Sequence, residues 1–269
     1  MPLRFDRPSD HPHVAVVTID RPAQANALDP PTIRELAAAW RRIAADDDVR
    51  CVVLTGAGER VFCAGMDLKT TIPLSQRFAR GERIDADDFA ALRDVATALL
   101  AGFDVRAPIV CAINGHARAA GFDLMLATEV RYAVPAATFA LEEVALGLYP
   151  TGNATVLLPR QIPWVYAHEL LLTARPITAT RALEVGLING IVAPDELMRV
   201  ALETADAIAG NAPLAVRETR RGVRELIDLP LPDAYQRQEE IGRPLRRTDD
   251  AREGQRAFVE KRRPVWKGR

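Results

Sequence analysis

Ile109-Val110-Cys111-Ala112-Ile113-Asn114-Gly115-His116-Ala117-Arg118-Ala119-Ala120-Gly121-Phe122-Asp123-Leu124-Met125-Leu126 is the stretch on which the fold turns. It opens with a continuous apolar run, read as a buried strand. It then passes through a loop of small residues and enters a helical pattern over Gly121–Ala127. Working outward, Cys51–Thr55 and Val130–Val134 are further buried-strand runs, and Val14–Ile19 is a short β-rich run that stops at Asp20-Arg21-Pro22. Between them Asp29 can cap a helix that has Pro30 and Pro31 at its start. Ile33, Leu36, Ala37, Trp40, Ile43 and Ala44 follow as one apolar stripe. A second helical pattern covers Asp85–Ala101. Strands alternating with helices indicate an α/β layer arrangement.

After about residue 155 the strand signals fade. Tyr166–Thr173, Ala179–Gly186, Asp195–Ala209, Leu214–Leu226 and Asp249–Lys261 read as helices, with Leu197, Ala201, Ala205 and Ile208 on one face of the third. The expected division is an α/β core over 1–196 followed by a helical region over 197–269. Arg77–Asp88, polar and charged between helical patterns, is the expected mobile loop. No internal repeat or low-complexity segment is present.

Composition narrows the function. The 269 residues carry 35 basic and 36 acidic side chains, a net charge of -1, which argues against nucleic acid or an anionic membrane as the main partner. From Arg217 onward 15 basic residues face 10 acidic ones, so the tail is either a solvated helical surface or an anion site. Cys51, Cys63 and Cys111 have no metal or disulfide spacing, no apolar run reaches membrane length, and the N-terminus has no apolar signal region. The expectation is a cytoplasmic protein.

Familiar motifs fail. Thr55-Gly56-Ala57-Gly58 follows a strand, but the third glycine of a dinucleotide fingerprint would fall at Val61. There is no Gly-Lys-Ser/Thr, and Ser9 and Ser75, the only serines, lie in no Gly-x-Ser-x-Gly elbow. His11, His13, His116 and His168 have no ligand spacing. What remains is a pair of small-residue loops after buried strands, Val61–Leu68 and Asn114–Gly121. Such loops bring backbone amides close to a ligand, and two amides aimed at one oxygen form an oxyanion hole. Tight turns need the same residues. Asp123, among Phe122, Leu124 and Met125, is either a charge favoured by a helix N-terminus or a catalytic acid or base with a shifted pKa. A returning strand and turn could bring Glu143 beside it.

These residues resemble the crotonase superfamily of enoyl-CoA hydratases and isomerases over nearly the whole chain. The resemblance rests on Asp20-Arg21-Pro22 with Asn26-Ala27-Leu28, and on Leu54-Thr55-Gly56-Ala57-Gly58 with Phe62-Cys63-Ala64-Gly65-Met66-Asp67-Leu68. It extends through Ala112-Ile113-Asn114-Gly115, Phe139, Glu143 with Gly147-Leu148-Tyr149-Pro150, Ala179–Ile188 with Val192, and Phe258-Val259-Glu260-Lys261-Arg262. It implies an α/β fold, a crotonase-like spiral of ββα units with a C-terminal helical oligomerisation region, and a homotrimer or homohexamer. It implies an acyl-CoA substrate with no metal, nucleotide or flavin cofactor. The thioester oxygen would be held by the amides of Met66 and Ala120. CoA would lie along Ala25, Ala64, Asp67, Leu68 and Lys69, with Phe258 and Lys261 near its phosphate from the same or a neighbouring subunit.

Two departures matter. Asp123 stands where hydratases of the family usually carry glutamate, and Ala119-Ala120 where they carry glycines. An alanine at positive φ would cost about 1–2 kcal/mol, so either the backbone stays at negative φ or the hole is distorted. The resemblance implies hydration of a 2-enoyl-CoA by Glu143 and Asp123. The alternatives are a 3-enoyl-CoA to 2-enoyl-CoA isomerase working through Glu143 alone, and an acyl-CoA-binding relative whose catalysis has decayed.

Overall fold

In the computed structural model, which describes residues 1–269, the strands are Leu3–Asp6 (β1), Val14–Ile19 (β2), Cys51–Gly56 (β3), Val61–Cys63 (β4), Ile109–Ile113 (β5), His116–Arg118 (β6), Val130–Ala133 (β7), Thr138–Ala140 (β8), Ile177–Thr178 (β9) and Gly190–Ile191 (β10). The apolar runs form the centre of a six-stranded sheet ordered β1-β2-β3-β5-β7-β10. Every residue of β2, β3 and β5 is buried, which is why these strands lack an alternating pattern. All pairings in this sheet are parallel except β1 with β2.

A second sheet, ordered β4-β6-β8-β9, is built from very short strands. Each long strand is followed by a short one in the other sheet: β3 by β4, β5 by β6, β7 by β8. Helices come next, and this is the repeated ββα unit of the spiral. The loops Val61–Leu68 and Asn114–Gly121 therefore begin as strands, which pair in parallel through Val61↔His116 and Cys63↔Ala117.

The helices are Pro30–Ala44 (α1), Thr71–Ala79 (α2), Ala86–Ala98 (α3), Ala120–Leu126 (α4), Ala154–Gln161 (α5), Trp164–Thr173 (α6), Ala179–Glu184 (α7), Leu197–Ala209 (α8), Pro213–Leu226 (α9), Leu231–Leu245 (α10) and Asp249–Val259 (α11). Asp29 caps α1 by accepting from the Thr32 amide at 2.9 Å. The apolar face of α1 is buried, and Trp40 Nε1 donates to the Ala98 carbonyl at 3.0 Å, joining α1 to the end of α3. The segment expected as a mobile loop is partly helical, since α2 runs to Ala79 and α3 begins at Ala86. Helix α8, placed by the sequence reading at the head of the C-terminal helical region, packs on the core: Leu197, Ala201, Ala205 and Ala209 are buried in its cluster. Beyond it, α10 buries no residue, and the chain end is strapped back along α11. There the buried Asp250 carboxylate accepts from the amides of Lys267 (2.7 Å) and Gly268 (2.9 Å), and Trp266 Nε1 donates to the Gly210 carbonyl at 2.7 Å.

Candidate active site

Parallel pairing of β4 with β6 lays the segments that follow them side by side. Gly65 records how closely. It sits at φ +92, and a Cβ there would lie 3.0 Å from Ala119 Cβ, 3.1 Å from the Arg118 carbonyl oxygen and 3.2 Å from the Ala120 nitrogen. Position 65 is thus closed to side chains by both its backbone conformation and its neighbours.

The two amides at this contact are free. Leu28 pairs with the segment through its own N–H to the Gly65 carbonyl (2.8 Å) and its carbonyl to the Asp67 N–H (3.0 Å), so the Met66 N–H takes no part in that bridge. Ala120 is the first residue of α4, where the helix offers its N–H no acceptor. Neither amide donates to any group in the chain. The departure from glycine also resolves into a location. Ala119 is the residue at positive φ (45, with ψ -123), and its N–H donates to the Ala140 carbonyl at 3.0 Å. Ala120 itself is helical. The strain of about 1–2 kcal/mol falls one residue before the free amide and leaves that amide's direction to the helix.

Buried asparagines and an arginine hold these loops. Asn26 Nδ2 donates to the carbonyls of Ala57 (2.9 Å) and Val61 (2.7 Å), and Asn114 accepts from the Gly56 amide at 3.1 Å while donating to the Gly58 carbonyl at 2.7 Å. Arg21 reaches Asp29 at 3.0 Å, Asp67 at 3.3 Å and the Ala27 carbonyl, clamping the segment before α1 to the segment that carries Met66. The sequence contains Arg21, Asn26 and Asn114 in its motifs, but their partners appear only in the fold.

Two carboxylates share the site. Asp123 is 3% exposed on the first turn of α4, and its Oδ1 accepts from the amides of Asn153 and Ala154, each at 2.6 Å. It thereby caps α5 from a distance. Gly152 packs flat on the carboxyl group, since a Cβ there would come within 2.4 Å of Asp123 Cγ and Oδ2. Burial pushes the Asp123 carboxyl up to about 7; the Asn153 and Ala154 amides oppose this and the charge of Glu143 adds to it. Glu143 opens a 3-10 turn, Glu143–Leu146, and its Oε2 is buried with no hydrogen-bond partner. Burial raises its pKa as well, and the negative charge of Glu142 adds to the effect. The strand-and-turn return from Asp123 through β7 and β8 does bring the two carboxylates into electrostatic contact.

The site therefore offers two unpaired N–H donors on adjoining loops and two acids whose proton affinity is raised toward neutrality. Thiol chemistry is not available, because burial pushes all three cysteines up to about 12. No group of three or more His, Cys, Asp or Glu is placed to hold a metal ion.

The profile of the family described as "Enoyl-CoA hydratase/isomerase" matches residues 10–269. The chain belongs to that family. It is 42% identical over 263 residues to enoyl-CoA hydratase EchA19 of Mycobacterium tuberculosis, covering 96% of this chain and 94% of that protein. It is 38% identical over 265 residues to the carnitinyl-CoA dehydratase of Proteus mirabilis, covering 95% of each. The crystal structure of an enoyl-CoA hydratase from Bacillus anthracis superposes with a TM-score of 0.89 at 33% identity over the full length of both chains. The fold is accordingly that of the crotonase superfamily.

The remaining expected ligand contacts are dispersed. Ala25 adopts left-handed backbone (φ 53), and its carbonyl accepts from the Ala64 N–H at 3.1 Å, so both stand beside the Met66 loop. Asp67 is buried with its side chain committed to Arg21 and to the Lys69 amide (2.9 Å). Its backbone is engaged as well, its N–H donating to the Leu28 carbonyl (3.0 Å) and its carbonyl accepting from the Ile72 amide (3.1 Å), so it acts on the loop and leaves no free donor for a ligand. Leu68 and Lys69 are exposed. Beside Lys69 opens a cavity of about 540 Å³ whose walls include Arg34, Pro73, Leu74 and Arg77. Asp123, Glu143, Met66 and Ala120 are not among its lining, so this cavity does not contain the candidate chemistry. Phe258 and Lys261 lie at the exposed end of α11, with no hydrogen bond or ion pair to the Ala64–Lys69 segment. Of the tail's cations, Arg243, Arg247, Lys261, Arg263 and Lys267 form no ion pair; the other arginines are neutralised within the chain, for example Arg220 by Asp104 and Glu129. The tail is thus largely a self-paired surface.

Proposed function

We propose that this enzyme hydrates a 2-enoyl-CoA to the 3-hydroxyacyl-CoA. The observation that carries the reading is the buried, unpartnered Oε2 of Glu143 beside Asp123, on a site with two unpaired backbone amides. The N–H groups of Met66 and Ala120 take the thioester oxygen and draw electron density from the C2=C3 bond. Glu143 removes a proton from water as its oxygen bonds to C3, and the π electrons move to C2 and the carbonyl, giving an enolate that the two amides stabilise. A proton delivered to C2 by the carboxyl pair completes the addition. Asp123, with Oδ1 held by two amides, keeps Oδ2 to orient the water and share the proton. A positioned acid or base contributes about 10²–10⁴-fold. Relatives named as a hydratase and a dehydratase support water addition or removal as the chemistry.

The substrate enters as its CoA thioester along Ala25, Ala64, Leu68 and Lys69, and the reaction calls for no metal or other cofactor. Exposed apolar side chains on α6, Trp164, Val165 and Leu172, with Leu146 and Tyr149 nearby in sequence, support self-association as a trimer or a pair of trimers. Phe258 and Lys261 then meet CoA from the same or a neighbouring subunit. No helix is long and apolar enough to cross a membrane, in keeping with a cytoplasmic enzyme.

One observation favours a second reading. Because Asp123 Oδ1 is saturated, Glu143 is the less encumbered carboxylate and could alone carry a proton between C4 and C2 of a 3-enoyl-CoA. A panel of 2-enoyl- and 3-enoyl-CoA thioesters, read by mass spectrometry, separates the two. Gain of the mass of one water supports hydration, and conjugation without mass change supports isomerisation. No turnover of any substrate with tight acyl-CoA binding refutes both.

A further inference from the structure

We propose that Arg118 is a positioning residue for Glu143: its guanidinium neutralises Glu142 and ties the turn that carries Glu143 to the strand that leads into the Ala120 amide. The geometry is two-pronged. Arg118 Nη1 lies 3.2 Å from Glu142 Oε1, and Nη2 donates to Thr138 Oγ1 at 2.9 Å, whose own oxygen is 2.9 Å from His116 Nδ1. β6 and β8 pair through Arg118↔Ala140, so the guanidinium spans from the last residue of one strand to the residue before Glu143 on the continuation of the other. Its position in the chain is equally pointed, one residue ahead of the strained Ala119. Beyond the β6–β8 pairing and the Ala119 N–H bond to the Ala140 carbonyl, this ion pair thus links the segment that leads to the amide donor with the turn that carries the carboxylate.

The charges around Glu143 are few. Asp123 approaches from α4, Glu142 lies on the same turn, and Arg118 stands behind Glu142. Helix α6 packs on this turn and carries Tyr166, His168 and Glu169, none of which hydrogen-bonds to Glu143. Burial raises the Glu143 pKa first and the Glu142 anion raises it further, so the two partners of the ion pair must act in opposite directions. Removing Arg118 leaves the Glu142 charge unopposed, and Glu143 holds its proton to higher pH. Removing the Glu142 charge lets Glu143 ionise at lower pH. A purely mechanical tether has no such sign.

The test compares Arg118→Gln and Glu142→Gln with the wild type. Titration of Glu143 is followed by NMR of carboxyl-labelled glutamate, with Glu143→Gln assigning the resonance, and in parallel by the acid limb of kcat/KM for a 2-enoyl-CoA. The expected result is a shift of about half a pH unit upward for Arg118→Gln and downward for Glu142→Gln. This is smaller than the 1–3 units of a buried contact because the Glu142 side chain is 43% exposed. Both shifts should shrink in molar salt. Shifts in the same direction, or none, would overturn the assignment. The kinetic arm rests on the proposed hydratase reading and the NMR arm does not. A wild type that turns over no enoyl-CoA while the resonances still separate refutes the function and leaves the positioning role standing.

Discussion

Replacing Gly65 by alanine tests the pairing of the two loops at the point where they come closest. The new methyl would sit 3.2 Å from the Ala120 nitrogen and 3.0 Å from Ala119 Cβ, tighter than ordinary contact, so the loops must part or the amide must turn. Either change spoils the proposed convergence of the Met66 and Ala120 amides on the thioester oxygen. Losing one such donor raises a barrier by about 2.7–4 kcal/mol, roughly 10²–10³ in kcat. A side chain at φ +92 adds about 1–2 kcal/mol of strain to the folded state. In a chain of this size that lowers Tm by about 2–8 °C. The assay is therefore paired: kcat for 2-enoyl-CoA hydration, and thermal unfolding to show that the protein remains folded at the assay temperature. A variant that loses stability by this amount yet keeps kcat within a few-fold of wild type would refute the placement of the thioester oxygen between these amides.

Other expectations follow from the same geometry. Asp123 is held well above the unfolded carboxylate value, at about 7, so folding takes up a proton between roughly pH 4 and 7 and stability falls as pH rises through that window. Asp123→Asn should remove that slope and gain on the order of 2–4 kcal/mol relative to wild type between pH 4 and 8, measured by denaturant titration; an unchanged slope would contradict the shift. Ala119→Gly should relieve about 1–2 kcal/mol of backbone strain against about 0.4–1 kcal/mol of unfolded-state entropy, leaving stability equal or slightly higher; a marked fall in Tm would show that the φ of 45 is not strained. Trp266→Ala removes the link to Gly210 and should raise hydrogen exchange across Asp249–Val259 while leaving β2, β3 and β5 protected. Equal loss of protection in the core strands would refute a local strap.

The sequence made the centre of the large sheet legible because β3 and β5 are continuous apolar runs bounded by glycine or polar residues, and α1 because Asp29, two prolines and an apolar stripe all agree. The second sheet was hidden. Strands of three residues such as Val61–Cys63 and His116–Arg118 are too short to show a period, and their pairing is long-range. Helix α10 was also missed: it buries no residue, so no stripe is forced upon it, and its prolines obscure the pattern. α5 carries Pro159 inside it, with the same effect. At the site, the resemblance singled out Met66, Ala120, Asp123 and Glu143, but nothing in the chain announced that the Asn153 and Ala154 amides would seize Asp123 Oδ1 while Gly152 packs on the carboxyl group. Those contacts join residues some thirty positions apart and depend on where α5 begins. Arg118 was likewise visible only as one residue of a small-residue loop, since its value lies in reaching Glu142 across the strand pair.

In the proposed reaction, Glu143 and the two free amides add water to an acyl-CoA double bond. The most direct test is single-substrate turnover of a 2-enoyl-CoA series by wild type and Glu143→Gln, with products resolved by mass spectrometry. The expected result is a product heavier by one water with at least one chain length, and a loss of about 10²–10⁴-fold in kcat for Glu143→Gln with KM little changed. Equal hydration by the wild type and Glu143→Gln would contradict it.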